Sequence, residues 1–128
     1  MAITKNDGRQ EVICAVQEID GATIGAAGLS EAVDLPEGAI VVGGYLNVTT
    51  AFTGGVDITL AVSGGGASLT ATDVDAGTSS NALTVDGTVV ASGGDTVDVT
   101  LAGTTPTGGT AYLIVEYVVK GRAAFSEG

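Results

Sequence analysis

Ile40-Val41-Val42-Gly43-Gly44-Tyr45-Leu46-Asn47-Val48-Thr49-Thr50-Ala51-Phe52 is the stretch that decides the fold. Its even positions read Ile40, Val42, Gly44, Leu46, Val48, Thr50 and Phe52, and its odd positions Val41, Gly43, Tyr45, Asn47, Thr49 and Ala51. A period of two with an apolar even face predicts a strand that turns one face to a core. Glycine inside a strand marks a bulge or bend, and the Gly43-Gly44 pair predicts one here.

The same alternation recurs on both sides. Val56, Ile58, Leu60 and Val62 alternate with Asp57, Thr59, Ala61 and Ser63, and Gly54-Gly55 reads as a hairpin back to the strand before. Gly64-Gly65-Gly66 then turns the chain. Val97, Val99 and Leu101 alternate with Thr96, Asp98 and Thr100. The last strand puts Ala111, Leu113, Val115, Tyr117 and Val119 on one face, while its other face, Tyr112, Ile114, Glu116 and Val118, is also largely apolar. A strand apolar on both faces is either central in a sandwich or covered by a neighbouring subunit. Weaker strand signals cover Arg9–Val16, Glu31–Leu35, Ser68–Thr72, Ala82–Val85 and Thr88–Ala91. Leu35-Pro36-Glu37-Gly38 is a turn, with Pro36 expected at its second position. No segment carries a 3.6-residue apolar stripe, and only Ala71–Gly77 and Asp20–Leu29 leave room for a short helical turn. This pattern predicts an all-β chain, a jelly-roll-like antiparallel β-sandwich of about eight strands. The sandwich is expected over residues 11–120, with an N-terminal arm over 1–10 and a C-terminal tail over 121–128. Val56–Ala61 echoes Val97–Ala102, and Val/Thr-rich alternation explains the echo without a duplication.

Composition bounds the rest. A chain of 128 residues fits one domain and can bury a core without metals or disulfides. It holds 21 Gly, no Trp and no His, which suits strands joined by glycine turns. The net charge is −11, and all four cations, Lys5, Arg9, Lys120 and Arg122, lie near the ends. The acidic body between them repels phosphate, which argues against nucleic acid as a partner. Two readings of that layout stand: a solubility coat, or basic ends that dock onto an acidic partner. The single Cys14 cannot form an internal bridge, and in the run Glu11–Val16 it reads as a small packed residue. The N-terminus has no apolar signal region and no stretch is long enough for an apolar membrane span, so synthesis in a host cytoplasm and no membrane partner are expected.

The inventory for chemistry is thin. Without His the commonest general base and metal ligand is missing, and the glycine runs lack the Gly-Lys-Ser/Thr ending of a phosphate loop. Asp73-Val74-Asp75 followed by Gly77 has oxygens for a hard cation, but not the third ligand and distal Glu of an EF-hand loop. Asp73 and Asp75 read instead as turn formers that bond local amides. No catalytic residue, cofactor or metal is expected.

Three stretches carry a family resemblance: Asp34-Leu35-Pro36-Glu37-Gly38-Ala39-Ile40 running on through Phe52, Ala71-Thr72-Asp73-Val74-Asp75-Ala76, and Pro106-Thr107-Gly108-Gly109-Thr110-Ala111-Tyr112 running on to Arg122. Together they resemble the small tailed-phage virion proteins, cyanophage ones among them, that serve as head decoration or cement subunits. The likeness covers most of the chain from residue 34 onward. It implies a non-enzymatic β-sandwich, often a homotrimer, bound to the major capsid protein on the outer head surface. The family has no catalytic residues to transfer. Under this reading Tyr112 and Ile114 pack against a neighbouring subunit. Ile3, Lys5 and Arg9 at one end, and Lys120, Arg122 and Phe125 at the other, are either grips or loose ends. Alternatives are a tail-fibre or head-tail accessory part and a carbohydrate-binding sandwich. The last needs exposed aromatics, whereas Tyr45, Tyr112 and Tyr117 all lie in apolar strands and read as core or subunit packing.

Overall fold

A computed structural model describes residues 9–24, 28–75, 77–119 and 123–125. Among them there is no helix, and eleven strands follow in order. These are β1 (Arg9–Gln10), β2 (Ile13–Asp20), β3 (Gly28–Leu35), β4 (Ala39–Thr50), β5 (Val56–Val62), β6 (Ala67–Asp73), β7 (Ser79–Ala82), β8 (Thr84–Val85), β9 (Asp95–Gly103), β10 (Thr110–Val119) and β11 (Ala123–Phe125). One sheet has the order β2-β10-β4-β7, a second β3-β9-β5-β6-β8, and β1 pairs with β11 apart from both.

Every ladder is antiparallel, and five of them are nested: β5 with β6, β4 with β7, β3 with β9, β2 with β10, and β1 with β11. The chain is thus one long hairpin, its tip at the Gly64–Gly66 turn, rolled so that successive pairs fall in alternate sheets. That is the jelly-roll arrangement expected from the strand pattern. Inward residues from both sheets form a single cluster that includes Leu46, Ile58, Leu60, Val97, Val99, Leu113 and Val115. Among the described residues no polar or charged side chain is buried. Apolar burial therefore holds the two layers together, at roughly 25 cal/mol per Å² removed from water.

The echoed segments lie side by side. β5 and β9 pair with Ile58 opposite Leu101, Leu60 opposite Val99 and Val62 opposite Val97. Neighbouring strands that share an inner face need the same alternation, so the echo reports that face.

Four expectations need correction. The even positions of β4 do not share one face: Ala39 and Val41 are buried before the glycine pair, and Gly44, Leu46 and Val48 after it. The cause is the bulge, since β10 pairs Glu116 with Gly43 but Tyr117 with Val41, which leaves Val42 as the extra residue. One added residue swaps the faces, and Ile40 and Val42 turn outward. Gly54-Gly55 does not close a hairpin, because β4 and β5 belong to different sheets. The segment arches between layers, held where Phe52 N–H donates to the Val74 carbonyl. In the turn before β4, Ala39 N–H donates to the Pro36 carbonyl, so Glu37, not Pro36, is second. Gly38 follows with φ 85°, a value that favours glycine at the third position of a type II turn. Finally, Thr88–Ala91 makes one isolated bridge, Val89 to Ile40, in place of a strand.

Candidate interaction face

The outer face of the β2-β10-β4-β7 sheet is built from residues that the alternation turns away from the core. β10 is central there, between β2 and β4, with Ala111, Leu113 and Val115 fully buried beneath it. Its outward residues are Tyr112, Ile114, Glu116 and Val118, all half-buried. Register then fixes their neighbours, because directly opposed residues of an antiparallel pair share a face. Ile114 stands opposite Val16 on β2 and Tyr45 on β4, and Tyr45 stands opposite Ala82 on β7. Val16, Ile114, Tyr45 and Ala82 thus form an apolar row across all four strands. Val16 is 62% exposed, Tyr45 45% and the bulged Val42 47%.

The flanking rows are mixed. Tyr112 lies between Glu18 and Asn47, and Asn47 Oδ1 accepts a 2.8 Å bond from the Ser80 hydroxyl. Glu116 lies between Cys14 and Gly43. Contiguous exposed apolar surface on one sheet face marks an interaction site more often than chance. Gly44 sets the tight spacing beneath the row, since a methyl there would collide with the Ile114 carbonyl oxygen and the Leu83 side chain.

Cys14 belongs to this face and is exposed, contrary to the packed role expected of it. The apolar run around it indicated burial, but β2 is an edge strand on which Cys14 occupies an outward position. Tyr45 is exposed, so of the core and subunit packing expected for it the core is ruled out, whereas Tyr117 packs partly against the core. Ile3, Lys5, Lys120 and Arg122 lie outside the described residues. Arg9 and Phe125 enter as opposed positions of the β1–β11 ladder. Of the expected contact residues, the structure brings Tyr112 and Ile114 together, and adds Val16, Val42 and Tyr45. Only the strand pairings show that these share a face.

A second cluster lies on the other sheet. Asp57, Asp73 and Asp75 place one carboxylate oxygen each within 4.8 Å of one another. Asp73 accepts the Asp75 N–H at 3.1 Å, the local turn contact expected of it, while Asp75 accepts the Val56 N–H at 3.2 Å. The side-chain hydrogen bond with Asp75 pushes the Asp73 carboxyl above its ordinary value, and the same contact holds Asp75 below its own. Asp57 was not part of the sequence motif; the β5–β6 ladder brings it in opposite Asp73. The three converging oxygens are half or less of the six to eight that calcium takes, and two of the carboxylates already serve backbone amides.

No protein-family model matches the chain, and no curated protein matches it. Among solved structures, the chain is similar to one from the cyanophage Pam1 capsid asymmetric unit, with a TM-score of 0.67 and 20% identity over 93% of this chain and 91% of that one. It is also similar to one from the acidic stable capsid structure of Helicobacter pylori bacteriophage KHP30, with a TM-score of 0.61 and 17% identity over 84% and 87%. At such identities the likeness is one of fold.

Proposed function

We propose that the chain is a non-enzymatic structural subunit of a bacteriophage virion, a decoration or cement protein on the outer surface of the head. The observation that carries this reading is the rolled hairpin with an unfinished apolar sheet face, in a fold like that of chains in two phage capsids. A cement subunit must be rigid, soluble at high local density and indifferent to DNA. A compact sandwich with a net charge of −11 meets those needs. Its partners under this reading are two further copies in a homotrimer and the major capsid protein. Three docking sites on one trimer raise affinity through effective concentration, so each contact can be weak.

Imaging of purified particles tests the proposal. Regular knobs on the shell that vanish when the protein is left out, and return when it is added back, are the expected result. Density confined to the tail would replace this reading with that of a tail accessory part.

A further inference from the structure

Exposed apolar surface is gathered on the outer face of the β2-β10-β4-β7 sheet. Among the described residues, Val16, Val42, Tyr45 and Val89 are four of the seven large apolar side chains left exposed. Val16 and Tyr45 flank Ile114, and Val42 is the bulged residue of β4. Val89 joins them through its bridge to Ile40, which lies opposite Val118. One charge stands inside this surface. Glu116 projects from the central strand, half-buried, and its Oε1 lies over Gly43, 3.2 Å from where a Cβ on that glycine would sit. The other outward charges, Glu18 and Asp20, lie on the edge strand β2 and are also acidic. No Lys or Arg occurs in any of the four strands.

An occupant that covers this face must take Glu116 out of water. A carboxylate covered without a cation loses its hydration and gains nothing in return, which offsets what the apolar side chains contribute. A second copy is a poor match. Between Gln10 and Val119 it has no cation, so its body would set acid against acid, and all four of its cations lie near the ends. We infer that this face receives an apolar surface of a different protein, the shell subunit, on which a Lys or Arg side chain meets Glu116. The assignment rests on the shell-docking part of the proposed function and leaves contacts between copies to other surfaces.

Particles made without the protein, titrated with wild-type or variant protein, test it. Light scattering on the free protein reads self-association, and melting curves check folding. Glu116→Lys should weaken particle binding at least about thirtyfold, and Glu116→Gln by less, as the loss of one partner of a covered charge pair does. Ile114→Asp should weaken it as well, and none of the three should change the mass of the free protein. Particle binding by Glu116→Lys as tight as wild type, while Ile114→Asp loses it, overturns the cation. A lower mass of the free protein in Ile114→Asp or Glu116→Lys overturns the shell subunit and makes a second copy the occupant. Equal particle binding by every variant removes this face from the contact and leaves the proposed function standing. Wild-type protein that does not bind the particles removes that function, and this assignment with it.

Discussion

The two outer faces of the sandwich are products of the same alternation and end up chemically opposite. On the five-stranded sheet the outward positions are Asp57, Thr59 and Ala61 of β5, Thr96, Asp98 and Thr100 of β9, and Ser68 of β6. Thr59 stands opposite Thr100, Ala61 opposite Asp98, and the Thr96 hydroxyl donates to Asp98 at 2.6 Å. That face is finished against water, apart from Leu29 at the start of β3 and Val85 on the short β8. On the four-stranded sheet the corresponding row is Val16, Ile114, Tyr45 and Ala82. A threonine row and an isoleucine–tyrosine row serve the pleat equally well, since both are good strand formers. The difference therefore does nothing for the fold. Under the proposed function it is the second face that meets a partner.

The largest effect should come from the buried side of that same sheet. Leu113→Ala removes a fully buried side chain directly beneath the row and should cost about 3 kcal/mol of stability in denaturant melts. Its neighbour Ile114→Ala should cost less than about 1 kcal/mol in the dilute subunit, because Ile114 is only half-buried there. Equal losses would mean that the outer row is part of the fold. Association should divide the two faces next. Ile114→Asp should weaken self-association or particle binding by at least about thirtyfold, the scale of a lost apolar anchor. Thr59→Asp, on the finished face, should leave it unchanged.

The smallest effect concerns acid. Hydrogen bonds from the Thr96 and Gly64 N–H groups, with that of the Ser63 hydroxyl, hold the Asp95 carboxyl below its ordinary value. A carboxyl depressed in the folded state adds stability above its unfolded value and loses it as pH falls through the folded one. Asp95→Asn should therefore lower the melting temperature at neutral pH and flatten its fall in acid. Asp73, held up, acts with the opposite sign and softens that fall. An unaltered acid limb in the variant would remove Asp95 from the account.

How much of this was legible depends on the range over which the signal acts. The inward faces of β5, β9 and β10 follow from period two, because alternation is local. The face change in β4 did not follow. Gly43-Gly44 announced a bulge, but only the pairing with β10 shows that Val42 is the extra residue. Gly54-Gly55 fits an arch between sheets as well as a hairpin, and the choice belongs to partners far along the chain. Ala82–Val85 read as one strand, yet the chain changes sheets there: Leu83 is buried between β7 and β8. The interaction face was half legible. Tyr112 and Ile114 stood out as apolar residues on the second face of one strand, whereas Val16 and Tyr45 joined them only through register.

Cys14 sits on the contested face, opposite Glu116, and provides a direct probe of it. The decisive measurement is the rate at which a maleimide modifies that thiol, in the dilute subunit and in the assembled form. Fast modification when dilute, with strong protection on assembly, is the expected result. Equal rates in the two forms would show that this face stays in water and would contradict its role as the contact surface.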